Sequence, residues 1–225
     1  MNKNIDKPDH YSDEFWEIFA RFYNTATKFY LFPFGGERSF RNHIINFGQP
    51  KEDEQILDVC CGTGTLTMLI ANKLGQKAKV TGIDSSQEMI RIAQENASKE
   101  KLNIKFELAS GKSLPFIDKY FNRSFISLCL HELPKEMRLG VLHEIHRVLK
   151  FNGYLVVIDL NLSQRKLPRL MIKTFVKLIE KEVAYNFLLE ELMSTEIVEL
   201  GFKPIDRRSI LLDMFQLLLF QKSKK

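Results

Sequence analysis

The chain has 225 residues, 44% of them hydrophobic, with 33 Lys and Arg against 28 Asp and Glu for a formal charge of +5. That length fills one core and is short for two, and no stretch reaches the roughly 20 apolar residues needed to cross a bilayer. The charge surplus is modest and dispersed, so it permits an acidic partner or a membrane surface without demanding either. The polar start, Met1 to Asp13, is not expected to be a signal peptide. Three cysteines, Cys60, Cys61 and Cys129, fall in or beside expected strands. An odd, strand-buried set points away from a disulfide framework and toward a reducing cytoplasm.

Residues 1–48 are rich in aromatics, among them Phe15, Trp16, Phe22, Tyr23, Phe32 and Phe40. They are expected to form a helix or two packed on a sheet, an aromatic lid over a site, or both. From Ile56 onward apolar runs alternate with amphipathic segments. Strands are expected at 56–60, 79–84, 104–108, 124–130 and 154–160, and helices at 65–74, 86–100 and 134–149. Runs of Val, Ile and Leu read as strands buried on both faces, hence a parallel sheet covered by helices on each side. Ser85 or Ser86 can cap the second helix, and Asn152-Gly153 is expected to end the third. After Gly201-Phe202, two strands at about 203–211 and 215–221 lie only a few residues apart and should pair antiparallel. The expectation is one α/β domain over 1–225 with a Rossmann-like, doubly wound, seven-stranded sheet. It has five parallel strands plus a C-terminal antiparallel hairpin, an N-terminal lid at 1–48 and a helical cap at 161–200.

The first strand ends in Asp58-Val59-Cys60-Cys61-Gly62-Thr63-Gly64 and the second in Thr81-Gly82-Ile83-Asp84. A glycine turn lets a ligand approach the backbone, because Gly has no Cβ. Asp84, at the tip of the next strand, can accept hydrogen bonds from two vicinal hydroxyls. A dinucleotide fold wants a third glycine where Thr67 stands. Asp58 would repel a pyrophosphate but suits a cation. S-adenosylmethionine carries an ammonium and a sulfonium, and its carboxylate can lie near the N–H groups that open the first helix. The rival readings are an NAD-dependent oxidoreductase and a catalytically degenerate S-adenosylmethionine-binding module. Leu130-His131-Glu132-Leu133 lacks an Asn/Asp-Pro-Pro-Tyr/Phe signature, so no nucleic-acid substrate is expected.

These residues resemble a class I S-adenosylmethionine-dependent methyltransferase. The resemblance spans nearly the whole chain and extends through Ser113-Leu114-Pro115-Phe116 and the stretch Glu144 to Gly153. Ala20-Arg21-Phe22-Tyr23-Asn24 and Phe34-Gly35 are similar to the ubiquinone/menaquinone-biosynthesis C-methyltransferase group. The resemblance implies that Asp58, Gly62 and Gly64 wall the methionine part of the cofactor, with Thr67 touching it from the first helix. It implies that Asp84 holds the ribose, Ser85 adjoins it and Met89 packs near the adenine. Ser110 and Gly111 would lie beside the adenine amine, Ser127 in the fourth strand near the cofactor, and Tyr23 in the lid. Two departures stand out. Ser110 replaces the usual Asp or Asn, and His131-Glu132 stands where the quinone enzymes typically carry Arg-Asn.

Methyl transfer is an in-line displacement in which the protein supplies alignment, desolvation and sometimes a base. His131, expected at the carboxyl end of a strand, is the candidate base, because an imidazole titrates near neutrality. Its alternative role is to hydrogen-bond the loop or Glu132. Cys60 and Cys61 read as packing residues. His143 and His146 lack the His-Glu-x-x-His spacing of a zinc site, so no metal is expected. Arg165, Arg169, Lys173, Lys177 and Lys181 form one basic stripe on a helix that also carries Leu170, Met171 and Phe175. That segment is expected either to pack on the core with a solvated basic face or to cap the acceptor pocket and touch anionic lipid. The acceptor is expected to be small or lipophilic, and the enzyme cytoplasmic or peripheral at the inner membrane surface.

Overall fold

The computed structural model describes residues 35–75, 79–179, 184–187 and 193–224. Most of the expected N-terminal lid, Tyr23 included, and part of the expected cap lie outside the described residues.

The chain enters through helix α1 (Gly36–Gly48), whose Phe40, Ile44, Ile45 and Phe47 form a buried stripe at helical spacing. Then follow β1 (Gln55–Val59), α2 (Thr65–Leu74), β2 (Lys79–Asp84), α3 (Gln87–Lys99), β3 (Lys105–Leu108) and β4 (Phe121–Ser127). A 3₁₀ turn at Leu130–Glu132 leads to α4 (Lys135–Val148), β5 (Leu149–Leu160), α5 (Lys166–Ile179), α6 (Met193–Glu199), β6 (Phe202–Ile210) and β7 (Phe215–Lys222). The seven strands lie in the order β3-β2-β1-β4-β5-β7-β6. β1 to β5 pair in parallel, while β7 runs antiparallel to both β5 and β6. The doubly wound sheet with a C-terminal hairpin is therefore as the sequence implies.

Alternation along the strands sends side chains to two cores. One face meets α1, α2 and α5, with Phe40, Ile44, Ile70, Ile172 and Val176 against Phe125, Val156 and Ile158. The other meets α4 and α6, with Val141, Ile145 and Ile197 against Leu57, Ile126 and Val157. Ser86 caps α3, accepting from the Met89 N–H at 3.4 Å, which settles the choice between the two serines.

Three expectations are corrected. β4 begins earlier and stops at Ser127, because Leu128 turns to φ +54° and the next residues coil into the 3₁₀ turn. His131 thus stands on that turn rather than directly after a strand. Asn152-Gly153 does not end a helix. α4 stops at Val148, and the pair makes a tight bend inside β5, where a Cβ on Gly153 would come within 2.8 Å of the Lys150 carbonyl oxygen. The structure also joins Cys60 and Cys129 in a disulfide with Cα atoms 6.4 Å apart, and leaves Cys61 as a buried free thiol. The sequence reading missed the pair because 69 residues separate the two cysteines. The β1–β4 pairing brings them together.

Buried ion pairs pin the frame. Arg123, 4% exposed, donates from Nε and Nη2 to Glu54 at 2.7 and 2.8 Å and from Nη1 to the Gly48 carbonyl at 2.6 Å. Arg138 on α4 makes the same fork with Glu196 on α6 at 2.7 and 2.8 Å. Removing one partner strands a buried charge. Glu54→Ala is expected to lower unfolding free energy by about 3 kcal/mol in urea titration. A loss below about 1 kcal/mol would place the pair among weak surface bridges.

Candidate active site

The chain parts at the carboxyl edge of the sheet. From β1 it winds through α2 toward β2, and from β4 through α4 toward β5. Such a switch point opens a crevice beyond the strand ends. Its floor is the turn Cys60 to Gly64. Cys60 adopts φ +57°, Gly62 +55° and Gly64 +80°. Gly64 is doubly constrained, since a Cβ there would come within 2.8 Å of the Phe106 ring and 3.0 Å of Ala93. A Cβ on Gly62 would meet nothing within 4 Å, so that backbone presents an open face.

Asp84 locks the turn to the second strand. Its Oδ2 accepts from the Gly62 N–H and its Oδ1 from the Ser86 N–H, both at 2.9 Å. The carboxylate keeps acceptor capacity for a further donor. Burial raises the Asp84 carboxyl above its ordinary range, and these N–H groups, with that of Ser85, pull it back. Asp58 is 1% exposed and accepts from the Thr67 hydroxyl at 2.6 Å. Thr67 therefore spends its donor on Asp58 rather than facing a ligand with it. Burial pushes the Asp58 carboxyl up to about 6, against the pull of the Thr67 hydroxyl and the Arg41 charge.

The adenine-side candidates also gather at this edge. Met89 is buried on the first turn of α3. Ser110 is buried, and its Oγ accepts from the Lys112 N–H at 3.1 Å. Gly111 packs so closely that a Cβ would lie 3.0 Å from Val141. Ser127, ending β4, accepts from Arg41 Nη1 at 2.8 Å.

His131 is 3% exposed, and its Nδ1 lies 2.5 Å from Asp159 Oδ1. Asp159, on β5, also accepts the N–H groups of Leu130 and His131 through Oδ2 at 3.0 and 3.3 Å. With Nδ1–H given to Asp159, Nε2 is the basic nitrogen of the ring; it lies 3.8 Å from Glu132 Oε1. The ring faces Phe187 at 6.5 Å. Sequence reasoning missed Asp159, which sits in an apolar run, Val156-Val157-Ile158-Asp159-Leu160, that reads as strand core. A lone acid in such a run was the available signal. Arg41 and Glu37, both buried at this edge, were missed as well. His143 is exposed, while His146 stacks edge-on against Phe202 at 5.0 Å.

Asp58 holds a proton more tightly folded than unfolded. Its contribution to stability is therefore fully present below about pH 3.8 and lost as pH rises through about 6. Asp58→Asn should accordingly stabilise the ligand-free protein at pH 7.5 by on the order of 1–3 kcal/mol, with the gain shrinking toward pH 4.5. Urea unfolding at several pH values checks this, and a pH-independent difference would contradict it.

Comparison with known proteins agrees with this geometry. The methyltransferase domain family matches residues 56–153. The chain is 30% identical over 199 residues to the demethylmenaquinone methyltransferase of Staphylococcus epidermidis, covering 80% of each protein. It is 30% identical over 195 residues to that of Bacteroides fragilis, covering 78% of each. Among solved structures, an S-adenosylmethionine-dependent methyltransferase of Methanosarcina mazei superposes with a TM-score of 0.67 at 24% identity, covering 80% of this chain and 98% of that one. One from Aquifex aeolicus gives 0.65 at 22%, covering 80% and 88%. The donor set fits the cofactor: a buried acid for a cation, a strand-tip acid with remaining acceptor capacity for a ribose hydroxyl, and an open glycine backbone between them. The chain belongs to the class I S-adenosylmethionine-dependent methyltransferases, close to the menaquinone C-methyltransferase group.

Proposed function

We propose that this methyltransferase alkylates an electron-rich ring carbon of a lipophilic quinol, with His131 as the base and Asp159 holding its tautomer. The cofactor supplies an electrophilic methyl group on a sulfonium. The ring carbon forms the new C–C bond as the C–S bond breaks, and one proton must leave the acceptor. Asp58, Gly62, Gly64, Asp84, Ser85, Met89, Ser110, Gly111 and Ser127 line the cofactor side in this reading, and Thr67 acts through Asp58. The observation that carries the proposal is the buried His131–Asp159 pair at the same sheet edge as the Asp58–Asp84 turn. The substrate class is supported by the two demethylmenaquinone methyltransferases it resembles.

A greasy acceptor requires access to a membrane, and α5 has the surface for it. Pro168, Ile172 and Val176 face inward. Leu167, Leu170 and Met171 are 68%, 64% and 50% exposed, beside Arg165, Lys166 and Lys177. An apolar ridge flanked by cations matches an anionic bilayer interface. Lys181, the last residue of the expected stripe, lies outside the described residues. No helix among the described residues is long and apolar enough to cross a membrane, so contact by this route is peripheral.

Three measurements test these points. Labelled-methyl transfer should reach a demethylated naphthoquinol with a short prenyl tail; transfer to amines or thiols alone would reject the acceptor. His131→Gln should lower kcat at least about tenfold, and Asp159→Asn should lower it while shifting the pH–rate profile. Turnover by His131→Gln within about threefold of wild type would leave the pair a purely structural link. The protein should co-sediment with vesicles containing anionic lipid, and Leu170→Glu should weaken this. Equal, negligible sedimentation with anionic and neutral vesicles would end the membrane assignment.

A further inference from the structure

α1 spans the sheet from edge to edge. Its last residue, Gly48, gives its carbonyl to Arg123, which is in register with Ile56 near the start of β1. The other end of α1 therefore lies toward the carboxyl edge. Helical side chains slant toward the helix N-terminus. Arg41 accordingly leans toward that edge and reaches Ser127, the last residue of β4, through Nη1 at 2.8 Å.

Arg41 is 5% exposed, yet it is not spent on the fold as the other buried arginines are. Arg123 and Arg138 each fork onto a carboxylate at 2.7 and 2.8 Å. Arg41 Nη2 stands 3.6 Å from Glu37 Oε1, beyond hydrogen-bond distance. Among the described residues its Nε has no hydrogen-bond partner, and neither has Glu37 Oε1. A buried donor left unmade is costly unless a ligand completes it. The guanidinium is also close enough for its charge to act on Asp58. One edge of the crevice thus presents a buried cation and a buried anion together, the pattern that recognises an amino-acid zwitterion.

We infer that Arg41, steered by Ser127 and loosely paired with Glu37, forms a carboxylate subsite for the amino-acid end of S-adenosylmethionine, beside Asp58 for its ammonium. Guanidinium and carboxylate match as a fork, which a lysine does not reproduce. This assigns the cofactor's carboxylate a side-chain partner in addition to the N–H groups that open α2. The alternative ligand group for this guanidinium is an ionised oxygen of the acceptor.

Calorimetric titration with S-adenosylmethionine and with its decarboxylated form separates these sources. Wild type should prefer the carboxylate-bearing form by about tenfold or more. Arg41→Gln should bring the two affinities within about threefold by weakening only the carboxylate-bearing form, and Arg41→Lys should restore part of the preference. The affinity ratio reports on folded protein, so a loss of stability in Arg41→Gln does not obscure it. Equal weakening of both ligands, or an undiminished preference, would overturn the assignment. A rise in acceptor KM with the cofactor ratio unchanged would also overturn it, in favour of the acceptor's oxyanion.

Discussion

The site depends on one topological constraint, that β1 lies between β2 and β4 while the chain leaves β1 and β4 in opposite directions. Parallel pairing aligns all their carboxyl ends at one edge, and the diverging connections leave that edge uncovered. A turn at the end of β1 must then reverse within a few residues against β2. Positive φ at Cys60, Gly62 and Gly64 makes the reversal, and Asp84 fastens it by accepting the Gly62 N–H. The carboxylate that can hold a ribose is thus the same group that shapes the glycine turn. Losing it would disturb both the ligand contacts and the backbone that presents them.

Alternation along the strands then distributes charge around the end of β4. Asp58, Thr67, Arg41 and Ser127 gather on the face covered by α1 and α2. His131 and Asp159 gather with the other face, where Leu155 and Val157 of β5 meet α4. Each cluster couples a buried acid to a base or hydroxyl supplied by another element. Burial raises the Asp58 carboxyl to about 6, so at neutral pH the ligand-free fold holds a buried charge at a cost that a bound cation would offset. Arg123–Glu54 lies away from that edge, and Arg138–Glu196 lies near it, with Arg138 also donating to the Leu133 carbonyl at 3.2 Å and sitting 4.9 Å from the Phe187 ring; both are closed forks. The contrast between closed forks and the open Arg41 distinguishes charges spent on the fold from charges held for a ligand.

Much of this was legible in the sequence where the physics is local. The glycine turn, Asp84 at a strand tip and the cap of α3 depend on residues within a few positions of each other. So does the amphipathic stripe of α4. The readings that went astray depend on partners far along the chain. Asn152-Gly153 carries a helix-ending signal, but pairing of Leu149 with Phe121 draws those residues into the sheet and makes the pair a bend. Cys60 reads as a packing residue and Cys129 as part of another strand, and only the alignment of β1 with β4 joins them. Asp159 reads as strand, and its role comes from bonds to the His131 ring and to the Leu130 and His131 N–H groups, 28 and 29 residues back.

The same distinction explains why the donor of the methyl group is read more easily than its acceptor. Donor recognition rests largely on backbone shape, and backbone shape at a tight turn is written in adjacent residues. In the proposed reading the acceptor is recognised by side chains on the turn after β4, on β5 and on α5, which share no local pattern. Arg41 lies between these cases. It belongs to the donor side by chemistry, but α1 precedes the glycine turn by a loop, so no motif that begins at β1 contains it. A reading built from motifs assigns the cofactor's carboxylate to backbone N–H groups alone. The packed structure adds a buried guanidinium whose Nε has no hydrogen-bond partner among the described residues.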